Sequence, residues 1–208
     1  MRSLPQRLCD GSYNPAWLAA RRFRLTAGRF VSVRRVGRHQ KLAKQWLKEW
    51  WYRGQERLNH KINRSFDFED RVLQKLTEAE QVGLLVHPDM PWLGASPDGL
   101  IMPEQQLIEV KSYRSMLGKK SSAWHQMQGS MAIASGAFQV PVTMCRLIDP
   151  VTWTEIHIGC SATAEAETKT IRFDQAWWES FLKRLKSFYF GVFLPMAAKE
   201  ILRRARTS

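Results

Sequence analysis

The stretch from Gly83 to Lys111 constrains the fold of this chain more than any other. Short extended runs, Gly83 to His87, Trp92 to Ala95 and Leu107 to Lys111, are separated by Pro88-Asp89 and by Pro97-Asp98-Gly99. Pro presets the φ of a turn, Asp bonds the backbone ahead of it and Gly accepts positive φ, so both separators read as turns between strands. Helical patterns lie on either side. Upstream, Tyr13 to about Arg24 and Thr26 to about Val36 read as short helices. Gln40 to Trp51 reads as a stronger one, with Leu42, Trp46, Leu47 and Trp50 near one face and Lys41, Lys44 and Lys48 on another. Residues 52–65 read as a polar connection. A helix is predicted from Phe68 to about Glu80, because Asp67, Glu69 and Asp70 complement the dipole at its start. Downstream, Ser122 to about Ser135 reads as a helix, followed by a strand pair, Gln139 to Leu147 and Thr152 to Ile158, broken at Asp149-Pro150. Asp174 to about Arg204 reads as an amphipathic helix that kinks at Pro195 and packs as a lid on the sheet. Helices, a small central sheet and helices again predict a mixed α/β domain.

Charge narrows the partners. The 208 residues carry a net charge of +13, and residues 1–64, with 16 Lys and Arg against Asp10, Glu49 and Glu56, hold all of that excess. A segment so one-sided faces a polyanion, either nucleic acid or an anionic membrane surface. No apolar run reaches the roughly 18–20 residues of a membrane-spanning helix, and Met1 to Arg7 has no apolar stretch of the kind that opens a secretory signal. Cys9, Cys145 and Cys160 are isolated and read as free thiols rather than as a zinc or iron–sulfur site. The five histidines form no H-x-x-x-H, and no phosphate-binding G-x-x-x-x-G-K-[ST] loop occurs, so neither a zinc hydrolase nor an NTP-driven enzyme is expected.

The chemistry lies in the central stretch. Alternate residues of a strand share a face, so Glu109 and Lys111 point one way while Ile108 and Val110 point into apolar packing. The Pro-Asp-Gly turn brings Asp98 within reach of Glu109. Taken singly, an Asp in such a turn or a Glu-x-Lys on a strand is common structural chemistry. Together they set two carboxylates and an ammonium on one sheet face. Hard oxygen ligands of this kind suit Mg²⁺, which activates water and holds charge on a phosphate. The lysine can orient or deprotonate that water and offset developing negative charge. These are the parts of phosphodiester hydrolysis.

Pro97-Asp98 followed by Glu109-Val110-Lys111 matches the PD-(D/E)xK nuclease signature. The fuller string Gly94-Ala95-Ser96-Pro97-Asp98-Gly99-Leu100, with Leu107 to Lys111, resembles the lambda exonuclease or YqaJ-type viral recombinase branch of those nucleases. Trp17 to Arg21 with Leu25-Thr26-Ala27 is similar to the branch's N-terminal W-x-x-x-R…TAS segment, and Gln126-Met127-Gln128 to its Q-x-Q helix. The resemblance runs from Trp17 to about Ser135 and implies a restriction-endonuclease-like core. It implies Asp98, Glu109 and the Val110 carbonyl as metal ligands, Lys111 as the catalytic lysine, and Gln126 beside the metal to position phosphate or water. Arg21 and Ser96 match positions that contact the 5′-phosphate of a DNA end, with Arg22 and Arg24 among the basic residues flanking the cleft. Glu69 is the candidate for a further helical Glu. The chain departs from the pattern at Gly28, where the branch has Ser after Thr26-Ala27. It also departs at Ser65 to Phe68, which lack the usual Gly before the helical Glu, and at Ser112-Tyr113, which replace Cys-Pro.

The expectation is thus a single nuclease domain over residues 1–208: a basic DNA-facing helical segment (1–64), a catalytic sheet core (65–160) and a C-terminal helix (174–204). By resemblance it digests linear double-stranded DNA 5′→3′ with Mg²⁺, or Mn²⁺ in substitution. A single-strand annealing protein and a homotrimer are implied as partners in phage or viral recombination, and no membrane. The compartment expected is a bacterial cytoplasm, or a nucleus if the source is a eukaryotic virus, and not a secreted one. The rival readings are an endonuclease or DNA/RNA nuclease on the same site, and a DNA-binding module with an impaired one.

Overall fold

The computed structural model describes residues 15–34, 36–52, 72–102, 104–111, 118–150 and 166–206. The predicted strand at Thr152 to Ile158, the start of the helix predicted from Phe68, and Glu69 itself lie outside the described residues. The N-terminal part comprises α1 (Pro15–Arg21), β1 (Leu25–Thr26), a 3-10 turn (Ala27–Arg29), α2 (Phe30–Val33), a second 3-10 turn (Val36–Arg38) and α3 (His39–Tyr52). Four short strands follow: β2 (Leu85–Val86), β3 (Leu93–Ala95), β4 (Gly99–Ile101) and β5 (Gln106–Val110). Then come α4 (Ser122–Phe138), β6 (Met144–Pro150), β7 (Ala166–Arg172), α5 (Gln175–Phe188), a π turn (Tyr189–Phe193) and α6 (Leu194–Ala205).

The strands form two small mixed sheets. One has the order β1-β3-β2, with β1 parallel and β2 antiparallel to β3. The other has the order β4-β5-β6-β7, in which only β5 and β6 run parallel, joined by a crossover through α4. Every residue of β5 is buried, and its period-two alternation divides the core. Leu107 packs with Met127, Met131 and Ala134 of α4. Ile108 and Val110 pack on the other face with Leu73, Ile101 and Ile148. Burying each such side chain contributes roughly 1.5–3 kcal/mol, so a one-residue slip that exchanged the faces is strongly disfavoured.

A third cluster joins the ends of the chain: Phe30, Val33, Trp46 and Leu93 with Trp178, Phe181, Leu185, Phe188 and Phe193. It contains no residue of the four-stranded sheet. The C-terminal helices therefore lie on the N-terminal helices, α4 and the smaller sheet, rather than forming a lid on the larger one. Gly129 makes part of this packing possible, since a Cβ there would stand 2.3 Å from the Phe30 ring.

Three further expectations are corrected. Thr26 to Val36 is not one helix. Leu25 and Thr26 are taken by parallel pairing to Leu93 and Gly94, a partnership 68 residues away in sequence that helical periodicity cannot register. Asp149-Pro150 does not break β6. Pro150 pairs with Ala166 of β7 two residues beyond the last β5 partner, Ile148, at a strand end where a missing N–H is tolerated. The C-terminal irregularity is the π turn before Pro195, with Pro195 in the first turn of α6. Proline has no N–H and crowds the preceding turn, so the ladder widens ahead of it and restarts.

Candidate active site

The turn chemistry of Pro97-Asp98-Gly99 delivers a carboxylate to β5. The Asp98 backbone N–H donates to the Ile108 carbonyl at 3.1 Å. Its side-chain Oδ2 accepts the Val110 N–H at 2.7 Å. Asp98 is thereby fixed alongside the strand that carries Glu109 and is itself buried.

The fold brings Glu109, Lys111 and Gln126 into one hydrogen-bonded set. Glu109 is 2% exposed, a burial at which a lone carboxylate would be costly. The Lys111 ammonium donates to its Oε1, and the Gln126 Nε2 donates to the same oxygen at 2.5 Å. The set closes through the Lys111 Nζ, which donates to the Gln126 Oε1 at 3.1 Å. Gln126 reaches it from the first turns of α4, whose start is fixed by Ser121: its hydroxyl accepts the Trp124 N–H at 3.1 Å. On the neighbouring strand β6, burial pushes the Cys145 thiol well up, and the charges of Glu109 and Asp98 push it further against the opposing Lys111. One buried atom thus feels the field of all three charged groups.

Among the described residues no group of three His, Cys, Asp or Glu side chains forms a metal cluster. The set present is two carboxylates, Asp98 and Glu109, with the Val110 backbone between them and Lys111. All-oxygen donors with two carboxylates fit Mg²⁺, which keeps several waters and takes one or two carboxylates from the protein.

A second group adjoins the first. Arg21, the last residue of α1, donates from its guanidinium to the Ser96 hydroxyl at 2.9 Å and stacks over the Trp17 ring at 4.1 Å. Ser96 follows β3 and precedes Asp98 by two residues, so the two groups share one loop. Gly28 lies against Gln126. A Cβ there would sit 3.8 Å from the Gln126 amide, in ordinary van der Waals contact. Arg24 is not brought to the Arg21–Ser96 pair; its guanidinium donates to the Pro91 carbonyl at 3.0 Å and to the Ala20 carbonyl. Arg22 is exposed.

Gln128 is marked by the Q-x-Q resemblance, which assigns it no role. It is fully buried, donating to the Arg172 carbonyl at 2.8 Å and accepting the Asp174 N–H at 2.7 Å. Its amide ties α4 to the junction of β7 and α5 and fixes the helix that presents Gln126. The spacing within that motif points to a separate role, since residues two apart on a helix cannot face the same neighbour. His125 is a packing residue. Its Nδ1 lies 2.8 Å from the Ser121 carbonyl, and its ring meets Trp124, Trp177 and Phe181.

Solved structures share this architecture. LHK-Exo in complex with dAMP superposes with a TM-score of 0.70 at 21% identity, covering 94% of this chain and 100% of that one. A second structure, of the alkaline exonuclease LHK-Exo from Laribacter hongkongensis, gives 0.67 at 19% identity over the same shares. A phage-related exonuclease from Haemophilus somnus gives 0.53 at 9% identity, covering 83% of this chain and 96% of that one. The chain therefore has the fold of these exonuclease structures over nearly its whole length. No family model and no curated protein matched the sequence.

Proposed function

We propose that the chain is a divalent-metal-dependent deoxyribonuclease that digests linear duplex DNA from its ends, of the lambda exonuclease or YqaJ type. The observation that carries this reading is the closed set of Glu109, Lys111 and Gln126, with Asp98 held alongside the strand that carries Glu109. A bare signature in a sequence can be chance; buried, mutually bonded side chains at the same positions give the reading further support. The likeness to an alkaline exonuclease and a phage-related exonuclease supports it.

In this reading Asp98, Glu109 and the Val110 carbonyl hold Mg²⁺, or Mn²⁺ in its place. A bound divalent ion lowers the pKa of a coordinated water and neutralises charge on the phosphate under attack. Lys111, fixed by two partners, orients the attacking water, accepts its proton when deprotonated, and offsets negative charge as it builds. Gln126 holds Lys111 and Glu109 in register, so that the geometry exists before substrate arrives. Arg21 and Ser96 receive the 5′-phosphate of the DNA end, which sets a 5′→3′ direction. The basic excess in residues 1–64 supplies sequence-independent affinity through phosphate contacts. The whole chain works as one nuclease domain, with the C-terminal helices as its brace. Glu69 is the candidate further acid, and a single-strand annealing protein and two further copies of the chain are the candidate partners. The setting is phage or viral recombination, in a bacterial cytoplasm or in the nucleus of a host cell. Among the described residues no helix is long and apolar enough to cross a membrane.

The test uses linear duplex DNA labelled at its 3′ ends, with a circular plasmid as control and Mg²⁺ present. The reading expects mononucleotides released from the 5′ ends, label retained on the shortened strand and an intact circle. Early release of label as mononucleotide would reverse the direction. A cut circle would make the protein an endonuclease on the same chemistry.

A further inference from the structure

Phe23 occupies a backbone conformation that its side chain disfavours. Its φ is +62°, the left-handed region that glycine ordinarily fills at a helix C-terminus and in which a bulky residue is an outlier. Such a residue persists only where its surroundings over-determine it, and outliers of this kind gather at functional sites. Phe23 stands two residues after Arg21, in the turn from α1 to β1.

The segment is pinned both to the approach to β3 and to the far end of the chain. The Arg24 guanidinium donates to the Pro91 carbonyl at 3.0 Å. The Leu25 N–H donates to the Trp92 carbonyl at 2.8 Å. The third pin comes from the far end of the chain: the Tyr189 hydroxyl donates to the Phe23 carbonyl at 2.9 Å. The Tyr189 ring lies on Trp92, centroids 5.0 Å apart. Trp92 is four residues before Ser96. Tyr189 therefore touches both arms that meet in the Arg21–Ser96 hydrogen bond: the turn just after Arg21 and the strand leading to Ser96. It is also the first residue of the π turn, an irregularity often found at functional positions.

We infer that Tyr189 is a positioning residue for the Arg21–Ser96 pair, holding Phe23 in its left-handed conformation so that the Arg21 guanidinium is set for the phosphate of a DNA end. This rests on the assignment of that pair to the 5′-phosphate made above. The C-terminal segment thus acts on the end-binding site through the Tyr189 hydroxyl, whose hydrogen bond from 166 residues away offsets the cost of a strained Phe.

The experiment measures KM and kcat on linear duplexes bearing 5′-phosphate or 5′-hydroxyl ends. The proteins are wild type, Arg21→Ala, Tyr189→Phe, and Tyr189→Phe combined with Phe23→Gly. Tyr189→Phe keeps the ring on Trp92 and removes only the hydroxyl. It is expected to raise KM for 5′-phosphorylated ends by about three- to tenfold, the range for one net hydrogen bond, and to leave KM for 5′-hydroxyl ends unchanged. Adding Phe23→Gly restores most of the loss, since glycine takes this φ without steric penalty. A partly unfolded sample would lower the apparent kcat on both substrates alike without separating their KM values, so the comparison reads position rather than stability. An equal change on both ends, no change, or no restoration by Phe23→Gly overturns the inference. If Arg21→Ala abolishes the phosphate preference while Tyr189→Phe is silent, only the inference falls. If wild type lacks the preference, or Arg21→Ala keeps it, the end-binding assignment falls as well.

Discussion

Gln126→Met is the perturbation that most sharply separates an assembled site from a chance one. Methionine nearly matches glutamine in volume and is a good helix former, so α4 keeps its fold. The variant deletes two hydrogen bonds, one to the buried Glu109 carboxylate and one from the Lys111 ammonium. Both involve a charged partner, and such bonds contribute about 1.5–3 kcal/mol each. The bond to Glu109 exists whether or not substrate is present and is offset in part by Lys111, which keeps its own contact with the same oxygen. The restraint on Lys111 matters at the moment of reaction. Losing its worth of about 1.5–3 kcal/mol in the transition state slows the chemical step by roughly 10- to 150-fold. Single-turnover release of nucleotides from linear duplex DNA at saturating Mg²⁺ measures this, with melting temperature as a check on folding. A folded variant within about twofold of wild type would refute the reasoning, because it would show that the Gln126 bridge plays no part in holding the catalytic groups.

Gly129→Ala should destabilise the protein by about 1–3 kcal/mol, the usual cost of overpacking, because its Cβ would stand 2.3 Å from the Phe30 ring; denaturant melts measure it, and an unchanged midpoint would contradict the close approach of α2 and α4. Burial lowers the pKa of His125, against the pull of the Ser121 carbonyl, with the Arg34 charge lowering it further. A lowered histidine binds its proton less readily folded than unfolded, so stability is complete above the unfolded pKa of about 6.5 and falls as pH drops below it. His125→Phe should flatten that decline in melting temperature between pH 7 and 5; His87, also lowered by burial, accounts for a remaining slope, and an unaltered slope would count against His125. Asp174→Ala should cost about 1 kcal/mol in denaturant melts, since its side chain caps α5 by accepting the Trp177 N–H at 3.0 Å; no loss would show the cap idle.

The local chemistry of the site was legible because it depends on short-range rules. Period-two alternation placed Glu109 opposite Ile108 and Val110, and the structure divides them in that way. Turn chemistry put Asp98 beside the same strand, where its carboxylate accepts the Val110 N–H. What could not be read was pairing across sequence distance. Leu25-Thr26 became a strand because β3 accepts it, and Gln128 became a clamp because Arg172 and Asp174 lie beside it. Pro150 misled for a related reason: proline is a breaker only where its missing N–H or its ring obstructs a partner, and the end of β6 has none there from β5. The π turn belongs to the same class, since Pro195 announces an irregularity without saying which register the preceding turn adopts.

The most direct test of the catalytic assignment compares wild type, Lys111→Ala and Glu109→Gln for Mg²⁺-dependent cleavage of linear duplex DNA, with DNA binding measured on the same samples. The account predicts that both variants lose cleavage by several orders of magnitude while binding the duplex as wild type does, because affinity comes from the basic segment and chemistry from β5. Cleavage that survives either substitution, or a wild type that binds DNA but never cuts it, would contradict the claim that these residues form a hydrolytic site.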